Sequence, residues 1–267
     1  MLIRAADGVS LHATLHDAHS DRALLIASAM GVKRRYYDVF AQHLAAQGIS
    51  VVTFDYRGIG ESCPSSLRGY EATMLDWGRL DIAAAIDWIR TQLRPSSLYY
   101  VGHSAGGQLA GLAPNADAVE RFVFVSSQSG YWRHWPHIHA LGLGALWLLM
   151  PVLSRVFGYF PSKLTGLGPE DLPRHVAAQW ARWGRHPDYL FRDVDPALYT
   201  RLTAPVLSYS LRDDKYAPRR AVDALAAHYP NVTRVHLEER GLGHFDFFRK
   251  GHERLWEDVV RWLTTPT

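Results

Sequence analysis

The 267 residues carry 48% hydrophobic and 21% charged side chains, a net charge of +3 and one cysteine, a composition that excludes a disordered, collagenous or disulfide-stapled chain. The 29 Lys and Arg are dispersed rather than gathered into a stripe, so no nucleic-acid partner is expected. Cys63 alone can form neither an intrachain disulfide nor a cysteine-rich metal site, which is compatible with a reducing compartment, and a cytoplasmic location is expected.

The opening "MLIRAADGVSLHATL" lacks the apolar core and small-residue cleavage site of a secretory signal and reads as two short strands around the turn "ADG". "ALLIASA" (23–29) is a continuous apolar run, the mark of a strand buried on both faces. "YYDVFAQHLAAQGI" has helical apolar spacing and stops at Gly48. "SVVTFDYRG" (50–58) is a second buried strand, and Asp55 at its end is expected to brace the Gly- and Ser-rich loop that follows. "MLDWGRLDIAAAIDWIRTQL" (74–93) predicts a long helix whose apolar face is supplied by Leu75, Leu80, Ile82, Ile86 and Ile89. "SLYYVG" as strand, "SAGGQLAGLA" as helix and "RFVFVS" as strand continue the alternation of a parallel sheet with helices on both faces.

After Ser127 that rhythm breaks. Residues 128–200 hold Trp132, Trp135, Trp147, Trp180 and Trp183, several prolines, and only helix-like or irregular segments. They read as an insertion, with 1–127 and 201–267 forming the core. Within it "ALGLGALWLLMPVL" (140–153) runs 14 residues before Ser154 and Arg155. That is short for a bilayer span, so no stable membrane insertion is expected. The stretch is expected to pack on protein or cover a site, and its Leu and Trp content also raises peripheral membrane contact. "APVLSYS" (204–210) resumes the strand pattern, followed by a helix (219–228), the strand "TRVHLEE" (233–239) and the helix "HERLWEDVVRWL" (252–263).

Three loops carry candidate chemistry. Gly102-His103-Ser104-Ala105-Gly106 fits G-x-S-x-G between a strand and a helix, where small flanking residues let the chain turn sharply and expose a serine hydroxyl. A serine needs a base, a group that orients the base, and donors for the developing oxyanion. "VLSYSLRDDKYAP" (206–218) offers Asp213 and Asp214 as the orienting acid, and "GLGHFDFF" (241–248) offers His244 as base after the last strand. His103 reads as a packing or hydrogen-bonding neighbour rather than a second base. His134, His137 and His139 in "HWPHIH" lack a Cys or nearby carboxylate to complete a zinc site, so neither metal nor cofactor is expected.

On "GHSAGG", "FDYRGIGES", "SLRDDKYAP" and "GLGHFDFF" the chain resembles the α/β-hydrolase superfamily over nearly its whole length. More narrowly it is similar to the serine hydrolases grouped with lysophospholipase-like and serine-aminopeptidase-like enzymes. The resemblance implies an α/β fold: an eight-stranded, mostly parallel sheet flanked by helices, with 128–200 as a helical cap inserted after the sixth strand. It also implies a triad in the order Ser104, Asp214, His244, the aspartate being the one followed four residues later by Pro218. The Ala105 N–H would be one oxyanion donor. Many members carry His-Gly after the third strand where this chain has "ASAMGVKRRYY" (27–37); aligning Ser28-Ala29 with His-Gly makes Met30 the second donor. The implied activity is hydrolysis of a carboxylic ester, or a thioester or amide, in a small-molecule acyl substrate. The same triad would serve acyl transfer, and a non-catalytic ligand-binding homologue is the reading from another class. The oligomeric state is left open, with a homodimer among the options.

Overall fold

The computed structural model describes residues 1–265. Six strands come first: β1 (Leu2–Arg4), β2 (Ser10–His16), β3 (Arg22–Ala27), β4 (Ser50–Phe54), β5 (Ser97–His103) and β6 (Arg121–Val125). A short antiparallel pair, β7 (Tyr159–Phe160) and β8 (Leu172–Pro173), stands apart, and β9 (Val206–Leu211) and β10 (Val232–Leu237) complete the main sheet. Its order is β1-β2-β4-β3-β5-β6-β9-β10. β2 runs antiparallel to β1 and β4, and every other pairing is parallel. This is the mostly parallel eight-stranded sheet expected from the sequence.

The continuous apolar runs follow from burial on both faces. Along β3, Leu24 and Ile26 join one core while Leu25 and Ala27 join the other. One face is covered by α1 (Asp38–Ala46) and the C-terminal helix, through Phe40, Leu44, Trp256 and Val259. The other is covered by α2, helical over 74–93, through Met74, Trp77, Ile82 and Ile86. Two wide π turns, Trp77–Ile82 and Ile89–Leu93, interrupt α2, and each shifts the phase of the face that meets the sheet. Leu75 and Leu80, expected on the apolar face, are therefore only half-buried, while Trp77 and Asp81 are fully buried. The helix expected over 104–113 is a single α turn, α3 (Ala105–Gln108), followed by a tighter turn over Ala110–Leu112.

The chain between β6 and β9 adds no strand to the main sheet. It contains α4 (His137–Phe157), β7, β8 and α5 (Arg174–Gly184), so the segment is not purely helical or irregular as the sequence suggested. α4 is longer than the apolar stretch alone implied. Ser154 does not stop it, because its hydroxyl donates back to the Met150 carbonyl at 2.7 Å, and the helix ends instead at Gly158, whose φ of +80° suits a left-handed cap. At 21 residues and mean hydropathy 1.7, α4 is long and apolar enough to cross a membrane by length and composition. Pro151 inside it has no N–H for the Trp147 carbonyl; Arg185 Nη1, just past α5, donates to that oxygen at 3.0 Å. Two further helices, α6 (Arg219–Ala226) and α7 (Glu253–Thr264), flank β10 in the chain.

Candidate active site

Ser104 sits between β5 and α3 with φ +50° and ψ −112°, backbone that a residue with a Cβ adopts only under strain. Its neighbours make the turn possible: a Cβ at Gly106 would collide with the Ala27 carbonyl on the adjacent strand. The Ser104 N–H donates to the Val125 carbonyl of β6 at 2.9 Å, which anchors the turn above the sheet.

Asp214 and His244 come from the loops after β9 and β10. His244 Nδ1 lies 2.8 Å from Asp214 Oδ2, and both side chains are buried. The other carboxylate oxygen, Oδ1, accepts the Tyr216 and Ala217 N–H groups, each at 2.8 Å. Burial opposes ionisation of Asp214, but the charge and hydrogen bond of His244, with the Ala217 N–H, outweigh it and hold the carboxyl below its ordinary value. Asp213 is exposed and turns elsewhere, accepting the Gly241 N–H at 2.6 Å. Burial thus separates two aspartates that the sequence left adjacent.

His103 connects the two sides of this arrangement. Its Nε2 lies 2.9 Å from the His244 carbonyl, an acceptor only, so Nε2 carries the proton. Nδ1 then accepts from the Tyr37 hydroxyl at 2.8 Å, and that hydroxyl in turn accepts the Ala29 N–H at 2.9 Å. Burial first, and the neighbouring His244 second, push His103 well below the ordinary histidine range. It is a neutral hydrogen-bonding residue. Since the Ala29 N–H is taken by Tyr37, the next N–H along the loop is that of Met30. Among the described residues neither Met30 nor Ala105 has a hydrogen-bond acceptor for its N–H; for Ala105 this follows from its place at the start of α3.

Ser104, Met30 and His244 line one cavity of about 860 Å³, inside the range of small-molecule sites. Its far wall comes from the chain between β6 and β9, with Leu143, Leu146, Trp147, Met150, Phe160 and Trp180. Among the described residues no hydrogen bond joins Ser104 to His244. The Ser104 hydroxyl is turned toward Gln128 Oε1 at 3.4 Å, which also accepts from Gln108 Nε2 at 3.2 Å. Gln128 Nε2 donates to the Tyr216 carbonyl at 3.2 Å, tying the segment after β6 to the Asp214 loop.

Gln128 and Tyr37 were not singled out from the sequence. "SSQSG" and "RRYY" carry no local mark of a site, and only the parallel pairing of β6 beside β5 places Gln128 opposite Ser104. Asp55 accepts the Arg34 and Glu61 N–H groups at 2.7 and 3.0 Å and pairs with the Arg34 guanidinium, so it holds the loop after β4 together. Among the described residues no three His, Cys, Asp or Glu converge as metal ligands, and His137 and His139 are exposed.

A family model described as serine aminopeptidase, S33, a hydrolase family, matches residues 18–193, about two-thirds of the chain. The protein belongs to this family. The match includes Ser104 and ends before Asp214 and His244, so the placing of His244 on the serine's cavity, with Asp214 bonded behind it, rests on geometry. No curated protein sequence matches the chain. Among solved structures, a soluble variant of monoglyceride lipase from Saccharomyces cerevisiae is similar at TM-score 0.69 and 15% identity, over 99% of this chain and 95% of that one. An esterase from Exiguobacterium antarcticum is similar at TM-score 0.67 and 18% identity, over 99% of both chains. Est1E from Butyrivibrio proteoclasticus, solved with ferulic acid, is similar at TM-score 0.64 and 18% identity, over 98% and 97%. At these identities the likeness establishes the α/β-hydrolase fold.

Proposed function

We propose that this S33-family hydrolase cleaves carboxylic esters of apolar acyl groups through an acyl-enzyme on Ser104. The observation that carries the reading is the buried pair of His244 Nδ1 and Asp214 Oδ2 at 2.8 Å, facing the cavity that also holds the strained Ser104. With Nδ1–H committed to the carboxylate, Nε2 is the free basic nitrogen.

Substrate binding would turn the Ser104 hydroxyl from Gln128 toward His244 Nε2; such hydrogen bonds commonly tighten only in the complex. Nε2 takes the hydroxyl proton as Oγ attacks the ester carbonyl. The resulting oxyanion is held by the Met30 and Ala105 N–H groups, which have no other acceptor among the described residues. Collapse expels the alkoxide, which receives the proton from Nε2. Water, deprotonated by the same nitrogen, then attacks the acyl-enzyme and releases the acid. Asp214 keeps the imidazole in the required tautomer and stabilises its cation.

Residues 128–200 would serve as a cap, their apolar wall receiving the acyl chain. Fluorophosphonate labelling combined with turnover of a series of p-nitrophenyl acyl esters tests the reading. The wild type is expected to take one label and hydrolyse the esters. Ser104→Ala should lose both while keeping its melting temperature. Labelling elsewhere, or turnover retained by Ser104→Ala, refutes the proposal.

A further inference from the structure

The solvent side of α4 carries a stripe of exposed apolar side chains. Ile138, Leu141, Leu148, Leu149, Val152 and Val156 are each between 54% and 70% exposed. Five of them follow one another at steps of three, seven, four and four residues, a single helical face. The opposite face, with Ala140, Trp147, Met150 and Ser154, is buried against the protein. Leu164 and Leu167, beyond β7, add exposed apolar surface at 76% and 46%. A contiguous apolar face of this size marks an interaction surface rather than ordinary scatter.

The charges around it select the partner. Between residues 121 and 169 the sequence contains no Asp or Glu, whereas Arg133 and Arg155 are exposed near the two ends of α4. Arg133 lies over the ring of Trp132, its carbon 5.0 Å from the ring centre, a cation–aromatic pair suited to a lipid–water interface. A second copy of the chain would bring the same cations to the same stripe, with no acid on α4 to meet them. An anionic lipid surface supplies both the apolar layer and the opposite charge.

We propose that α4 seats the protein on an anionic bilayer, lying in the interface plane with its inner face still packed on the cavity. Ile138, Gly142 and Leu167 belong both to this exposed side and to the cavity lining. The cavity therefore opens at the seat, and a lipid acyl chain can enter it without crossing bulk water. The seat does not depend on the esterase reading, because binding is measured without turnover.

The test is co-sedimentation of the full chain with phosphatidylcholine vesicles and with vesicles in which about a third of the lipid is phosphatidylglycerol. Wild type is expected to bind the anionic vesicles about tenfold or more above the neutral ones, with the gain lost at high salt. Leu148→Ser combined with Val152→Ser, both outside the cavity lining, is expected to lower anionic-vesicle binding about tenfold or more and to leave hydrolysis of a soluble short-chain ester unchanged. Leu148→Gln alone is the milder variant if the pair melts early. Absence of wild-type binding to either vesicle overturns the proposal, as does equal binding by a folded variant. A concentration-dependent dimer abolished by the double substitution would replace the bilayer with a second copy.

Discussion

Replacing Asp214 by Asn tests the acid–base geometry while leaving the volume unchanged. Asp214 uses Oδ1 for the Tyr216 and Ala217 N–H groups and Oδ2 for His244. An asparagine has one oxygen, and two backbone donors claim it. The NH2 is then left facing His244 and donates to Nδ1, which forces the proton onto Nε2. That tautomer cannot accept from Ser104. The serine-protease precedent for this inversion is a loss of about 10⁴ in kcat, or ~5.5 kcal/mol of transition-state stabilisation. Because both backbone donors stay satisfied, the cost in stability should stay within about 1–3 kcal/mol, well short of unfolding. Asp213→Asn is the matched control: Asp213 is exposed and, among the described residues, accepts only the Gly241 N–H, so its turnover should remain within about twofold of wild type. Initial rates on a p-nitrophenyl ester, with thermal melts of all three proteins, read the comparison. Turnover by Asp214→Asn above about a tenth of wild type, or an equal loss in Asp213→Asn, would refute the assignment.

His103 is held neutral far below its ordinary 6.5, so as pH falls the unfolded chain takes up this proton before the folded one. The contribution is present above about pH 6.5 and is lost below it, at up to ~1.4 kcal/mol per pH unit; His103→Gln should show a shallower fall in melting temperature between pH 7 and 5, and equal slopes would contradict the bonding described. Removing Arg185 leaves the Trp147 carbonyl without a donor because Pro151 has no N–H. Arg185→Ala should cost about 1–3 kcal/mol by denaturant unfolding. That cost should shrink by about 0.5 kcal/mol or more in a Pro151→Ala background, where a backbone N–H returns; strict additivity would show that Arg185 acts otherwise.

β3, β4, β5, β6 and β9 were legible because a strand buried on both faces reads as a near-continuous apolar run, a signal that survives without any knowledge of what packs on it. Ser104, Asp214 and His244 were legible as candidates because parallel strands deliver their following loops to one edge of the sheet. The spacing to Pro218 favoured Asp214 over Asp213, and burial adds a distinction that adjacent residues of one loop do not advertise. The phase of α2 departs from the sequence expectation because nothing in 74–93 announces the π turn over Trp77–Ile82 that exchanges Leu75 and Leu80 for Trp77 and Asp81. The apolar stretch ends in the sequence at Ser154 and Arg155, whereas α4 runs on past them because the serine folds its hydroxyl back onto the helix. Gln128 and Tyr37 were invisible because their roles exist only across strands.

The bond between His103 and the His244 carbonyl closes a span of 141 residues, and the one between the Tyr36 hydroxyl and the Phe245 carbonyl closes 209. Closing spans of that length costs chain entropy before any contact returns it. Time of arrival therefore separates Ser104 from His244. On a ribosome, which makes the N-terminal part first, the serine turn and both strands beside it emerge long before the loop that supplies the imidazole. For about half of its synthesis, the 140 residues from Ser104 to His244 in a chain of 267, the polypeptide carries the serine before the imidazole exists.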